Sequence, residues 1–156
     1  MEGISEEHLK VRIQQALDED IGKGDVTAQA VAKLDRHVQA EIIARQDGIV
    51  AGLEVARLVF ESLEPPLDTV VKAEDGAAVQ SGEQLMTLEG SGRTILAAER
   101  TALNLLGRLS GIATLTRKYV EVVQGTGTNI LDTRKTTPHW RDLEKYSVRI
   151  GGGTNH

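Results

Sequence analysis

The sequence predicts a mixed α/β fold, and three observations carry that expectation. Residues 67–90 break into short β-type runs separated at Asp75-Gly76, Ser81-Gly82 and Gly90. Long stretches on either side repeat apolar residues at helical spacing. The chain then closes on a strand, a polar turn, a helix and a glycine loop, which is the opening of a βα repeat. Apolar content of 40% with only 3% aromatic residues suits a core of Ala, Val, Ile and Leu. At 156 residues there is enough chain for one domain with a real core, or for a small domain and the start of another.

Each element has a local reason. Ser5 followed by Glu6 and Glu7 marks a helix start, and Leu9, Ile13, Ala16 and Leu17 continue at helical spacing until Gly22. GKGDVTAQ reads as a polar loop. HVQAEIIARQDGIVAG reads as two strands joined at Asp47-Gly48. From Gly52, the positions Leu53, Ala56, Val59, Phe60 and Leu63 fit a helix that Pro65 and Pro66 end. After the turn-rich segment, helical patterning from Arg93 to Gly125 predicts two helices broken near Ser110-Gly111. Asn129-Ile130-Leu131 is expected as a strand, and Pro138 as the first turn of a helix running to about Arg149.

The absence of cysteine excludes a disulfide framework and thiolate metal sites. MEGISEEHLK has no basic start followed by an apolar run, and no apolar stretch approaches membrane-spanning length. A cytoplasmic protein is the expectation. The net charge of -5 hides an asymmetry: residues 1–92 carry 8 Lys+Arg against 18 Asp+Glu, and residues 93–156 carry 10 against 5. A basic C-terminal part attracts phosphate, carboxylates or nucleic acid. One Trp, one Phe and two Tyr leave little surface for stacking bases, which argues against nucleic acid.

DTRKTT stands at the carboxyl end of the last expected strand, where βα architectures gather ligand groups. Arg134 offers a planar fork, Lys135 a compact charge, and Thr133, Thr136 and Thr137 neutral donors, a set suited to an anion. A solvated Arg-Lys pair is the plain alternative. Gly151-Gly152-Gly153 permits close backbone approach, but also serves to end a helix or to form a flexible tail. His156 taken alone reads as structural or exposed, and no second histidine stands at metal-ligand spacing, so no protein-built metal site is expected. Arg100, Arg108, Arg117 and Lys118 are spaced as a solvated helix face, from which one is free to act as a ligand.

EDIGKGDVT, ARQDGIVAGLE, AERTALNLLGRLSGIATLTRKYV and, above all, ILDTRKTTP with LEKYSVRIGGGTNH closely resemble the N-terminal half of the quinolinate phosphoribosyltransferases. The resemblance runs from about Leu17 to His156. It implies an α/β sandwich with a hammerhead-like insertion over residues 1–110, followed over 111–156 by the first βα unit of an incomplete α/β barrel. It further implies formation of nicotinate mononucleotide, pyrophosphate and carbon dioxide from quinolinate and phosphoribosyl pyrophosphate, in NAD biosynthesis. Arg100 would reach the quinolinate pocket of a neighbouring subunit of a homodimer. Thr133 and Arg134 would contact quinolinate carboxylate, Lys135 the phosphates, and His156 would stand beside the substrate, with Lys135 and His156 as the catalytic pair. Mg2+ would arrive through phosphoribosyl pyrophosphate. The downstream lysine, acidic residues and glycine loops of the family do not occur in these residues, so the expectation is a fragment or the ordered part of a longer polypeptide, with the 156 residues catalytically inert by themselves. Two rivals stand beside this reading. One is a molybdenum-transport relative with a similar TRKT segment. The other is a biotinyl or lipoyl carrier suggested by the turns of VKAEDGAAVQSGEQLMTLEG, in which Lys72 would have to be the modified lysine.

Overall fold

The computed structural model describes residues 4–22 and 36–156, so most of the expected GKGDVTAQ loop lies outside the described residues. Helix α1 (Glu6–Ile21) begins where expected: the Ser5 hydroxyl accepts the His8 N–H at 3.5 Å, and Leu9, Ile13 and Leu17 bury one stripe. Gly22, at φ 55°, ends it with its N–H on the Asp18 carbonyl.

Strands β1 (His37–Ile43), β3 (Asp68–Val71) and β5 (Gln84–Ser91) form one antiparallel sheet in the order β1-β5-β3. Ala40 lies opposite Leu88, and Val70 opposite Thr87. The short strands β2 (Gly48–Ile49) and β4 (Ala78–Val79) pair separately. The two strands expected around Asp47-Gly48 are therefore present but do not pair with each other. The long β5 takes β1 along one edge, where Ile42, Met86 and Leu88 reach the core. Asp47 instead accepts the Ser81 N–H at 2.9 Å, linking two turns across the sandwich. The turns at Gly76 and Gly82 have φ of 96° and 91°, which explains the glycines there.

Helix α2 (Leu53–Glu61) is the centre of the core: Leu53, Val55, Ala56, Leu58, Val59 and Phe60 are all buried. Gly52 has no side chain to cap this helix. The Asp75 carboxylate takes over, accepting Gly52 N–H at 2.8 Å and Leu53 N–H at 3.0 Å.

The break expected near Ser110-Gly111 does not occur. One helix, α3 (Gly92–Val122), runs for 31 residues. A glycine inside a helix costs only about 1 kcal/mol relative to alanine, and α3 is held on both sides of it. Ser110 Oγ accepts Ala51 N–H at 3.0 Å and Thr114 Oγ1 accepts Ile49 N–H at 2.8 Å, so these hydroxyls serve the sandwich rather than competing for the helix backbone. Leu106, Leu109 and Ala113 are buried alongside.

The last unit departs from expectation in two places. Residues 129–131 contribute a single parallel bridge, Leu131 to Thr154, rather than a strand, because among the described residues only these two segments meet there. Helix α4 (Arg141–Ile150) starts three residues after Pro138, which sits with His139 in a preceding turn. His139 has φ 66°, and Arg12 from α1 donates to its carbonyl at 2.7 Å and forms a bidentate pair with Asp142. That anchor fixes the turn and delays the helix. Among the described residues no helix is long and apolar enough to cross a membrane.

Candidate functional site

Residues 132–137 form a loop between the Leu131 bridge and α4, and each end is tied to α4 by a carboxylate. At the start, Asp132 has a side chain only 2% exposed, yet it accepts the Lys145 ammonium and the His156 backbone N–H, the latter at 3.0 Å. Asn155, its amide oriented to satisfy both ends, donates to Asp132 at 2.7 Å and to the Lys145 carbonyl at 3.0 Å, and accepts from Arg149 at 2.9 Å. Burial alone would raise the Asp132 pKa, but the Lys145 and His156 donors outweigh it and hold the carboxyl below its ordinary range.

At the far end, Glu144 accepts from the Thr137 N–H at 3.3 Å and from Arg108 Nε at 3.0 Å, and Arg108 also donates to the Thr137 hydroxyl. Burial again opposes and Arg108 prevails, so the Glu144 pKa is lowered. Within the loop, Thr133 Oγ1 accepts the Lys135 N–H at 3.1 Å, and Arg141 donates to Thr136 Oγ1 at 3.0 Å and to the Arg134 carbonyl at 3.4 Å. These local bonds shape the loop without using its charges. Thr133, Arg134 and Lys135 are exposed, and the Arg134 and Lys135 side chains have no ion-pair partner among the described residues. Thr133 and Lys135 line a cleft of about 360 Å³ whose other walls include Tyr119, Leu131 and Val148.

His156 is brought to this loop through Asp132, while its ring is exposed. Arg100 is not brought there within one chain. It lies two turns before Arg108 on α3 and donates to Asp20 of α1 at 2.8 Å. The three glycines turn out to serve packing. A Cβ at Gly151 would lie 2.5 Å from the Ala113 carbonyl oxygen, one at Gly153 would lie 2.7 Å from Val148, and Gly152 has φ 93°. They let the chain cross α3 closely and return beside Leu131, which is the work of a βαβ crossover.

Sequence reasoning passed over Asp132, Glu144, Lys145 and Asn155 as site residues. A buried carboxylate flanking a basic loop leaves no periodic signal. The weak cue was chemical: LEKY places an acid and a base next to each other on a helix that must face a basic loop. Among the described residues no group of His, Cys, Asp or Glu could hold a metal ion, so none of them is assigned to Mg2+.

Comparison with known proteins places this geometry. Residues 25–110 match the quinolinate phosphoribosyl transferase N-terminal domain, and residues 112–156 the C-terminal domain of the same family. A nicotinate-nucleotide pyrophosphorylase [carboxylating] from Mycobacterium leprae is 44% identical over 147 residues, covering 92% of this chain and 52% of that protein. A quinolinate phosphoribosyltransferase [decarboxylating] from Nicotiana tabacum is 42% identical over 149 residues, covering 95% and 42%. The structure of the nicotinate-nucleotide pyrophosphorylase from Francisella tularensis superposes with a TM-score of 0.91 at 37% identity, over 98% of this chain and 55% of that one. The chain thus spans about half the length of the curated relatives it matches. The carrier reading is not favoured by these matches, and Lys72 stands at the end of β3 with its N–H on the Leu85 carbonyl, away from a hairpin tip. With both domain profiles matched in order along one continuous fold, the chain belongs to the quinolinate phosphoribosyltransferase family.

Proposed function

We propose that this chain provides the quinolinate-binding and phosphate-binding loop of a phosphoribosyltransferase that forms nicotinate mononucleotide, pyrophosphate and carbon dioxide from quinolinate and phosphoribosyl pyrophosphate. The observation that carries the reading is that Arg134 and Lys135 stand without ion-pair partners among the described residues, on a loop whose neighbouring carboxylates are all engaged elsewhere. Quinolinate is a dianion, and a planar guanidinium orients one of its carboxylates while Thr133 adds a neutral donor. Lys135 neutralises phosphate as the pyrophosphate leaves and positive charge develops on the ribosyl carbon. The ring nitrogen forms the new bond to that carbon. Once quaternised, the nitrogen stabilises the electron pair that stays on the adjacent ring carbon as its carboxylate departs as carbon dioxide, and that carbon then takes a proton from water.

His156, tied to the loop through Asp132, is assigned a place beside the substrate. Arg100, exposed on α3, is assigned to the pocket of a second copy in a homodimer, since it does not meet its own loop. Mg2+ enters this reading only as the companion of phosphoribosyl pyrophosphate. The division at residues 110 and 111 is kept as a functional one, with α3 serving both parts, and a cytoplasmic setting is proposed with it.

Calorimetric titration with quinolinate and with nicotinate tests the reading. Quinolinate should bind at least about tenfold more tightly, because nicotinate leaves one set of donors unpaired. Equal affinities, or no binding of either, would overturn it. The same comparison separates quinolinate chemistry from that of the molybdenum-transport relatives.

A further inference from the structure

We propose that Asp132 is a positioning residue of this site, with Lys145 as its dedicated counter-charge: one nearly buried carboxylate holds the Thr133–Lys135 arm and the Asn155–His156 arm in a single register. The inference rests on the reading of this loop as the quinolinate site.

Three features carry it. First, among the described residues the two arms meet through a single parallel bridge, with Thr154 N–H on the Ile130 carbonyl at 2.8 Å and Asp132 N–H on the Thr154 carbonyl at 3.1 Å. A ladder this short sets register weakly. The Asp132 side chain supplies further links from the same residue, to the His156 N–H, the Asn155 amide and Lys145. An ionised carboxylate has about four acceptor sites, so it accommodates all of these donors.

Second, Lys145 lines the same cleft as Thr133 and Lys135 and would look like one more phosphate ligand. Its ammonium is already spent on Asp132, and its backbone carbonyl receives the Asn155 amide. The residue therefore binds the frame of the site rather than its ligand. Third, the arrangement keeps opposite charges apart. Asp132 lies next to Thr133 and Arg134 in the chain, yet it is turned inward and neutralised, so it does not compete with an anion for Arg134.

The test is hydrogen exchange at residues 133–136 and 154–156, together with quinolinate calorimetry, on the wild-type chain and on Lys145→Met, Lys145→Arg and Asn155→Ala. Lys145→Met should speed exchange in both segments by about tenfold and weaken quinolinate binding to a similar degree, since a buried acceptor loses a charged partner. Lys145→Arg should return both readouts to within about threefold of wild type, because it restores the counter-charge. If Lys145→Met does not fold, Asn155→Ala, which leaves no charge unpaired, decides the matter: exchange should rise in both segments by about threefold. Faster exchange in one segment alone, for either variant, would overturn the proposal. So would weaker quinolinate binding by Lys145→Met with exchange unchanged, which would make Lys145 a direct ligand. If the wild-type chain does not bind quinolinate, the functional reading fails, while coupled exchange of the two arms still succeeds or fails independently.

Discussion

The sandwich around α2 and the unit from Asp132 to His156 are held together by different means. Around α2 the work is apolar: Phe60, Val55 and Val59 are fully buried in one core cluster that also holds Leu9, Met86 and Leu109, and the polar contributions are a few caps such as Asp75 on Gly52 and Leu53. In the C-terminal unit the work is ionic. Asp132 pairs with Lys145, Asp142 with Arg12 and Glu144 with Arg108, and these three pairs tie the loop and α4 to each other, to α1 and to α3. The proposed anion-binding role calls for rigid cations with no internal partner. Packing alone cannot sort charges in that way, whereas assigning each nearby carboxylate to a different cation leaves Arg134, Lys135 and Arg141 without a carboxylate among the described residues, and of these Arg141 is turned back onto Thr136 and the Arg134 carbonyl.

Phe60→Ala should cause the largest loss of stability, about 3–5 kcal/mol in chemical denaturation, because a fully buried ring is replaced by a cavity in the middle of the core. The loss should be nearly the same at every pH, since no titratable group is involved. A loss below about 1 kcal/mol would mean that α2 is not the centre of packing.

Glu144→Ala should cost less, about 1–2 kcal/mol, because Arg108 is half exposed and water takes over part of the lost interaction. Its signature should be in pH rather than in size. Asp132, Asp142 and Glu144 all have folded-state pKa values below their ordinary ones. Burial works against that direction in each case, and Lys145, Arg12 and Arg108 respectively overcome it. A depressed carboxyl stabilises the fold above its unfolded value, and that stabilisation is lost as pH falls through the folded value. The thermal midpoint of the wild type should therefore hold from neutrality to about pH 5 and fall steeply below about pH 4. Glu144→Ala should make that acid limb shallower, where Phe60→Ala only lowers the whole curve. Parallel acid limbs in all three proteins would erase the distinction between the two regions.

The same contrast explains what could be read from the residues. Helices α1 and α2 and the turns at Gly76 and Gly82 follow from periodicity and turn chemistry, which are local. The partner of β1 does not, because β5 lies more than forty residues away and wins by burial. The continuity of α3 through Gly111 is hidden for a similar reason: Ser110-Gly111 looks like a helix break until Ala51 and Ile49 are placed beside Ser110 and Thr114. In the loop proposed to bind the anion, Thr133, Arg134 and Lys135 stand out by charge and position. Asp132 and Glu144 do not, because an acidic residue in a basic segment signals little until its partner is known.

Arg134→Ala and Lys135→Ala should give the smallest change in stability and thereby the sharpest test of the contrast. Neither side chain has an ion-pair partner among the described residues, and both are exposed, so each variant should unfold within about 0.5 kcal/mol of the wild type. Removing a cation with no internal partner also relieves repulsion from Arg141, Lys145 and Arg149 in this basic segment, so a slight gain at low salt is expected, fading as salt screens it. Quinolinate binding by Arg134→Ala should nonetheless fall by at least about tenfold. A residue that costs nothing to the fold and much to the ligand belongs to the site. If Arg134→Ala destabilised the chain as much as Glu144→Ala does, Arg134 would belong to the ionic frame instead, and the anion would have to be sought elsewhere on the loop.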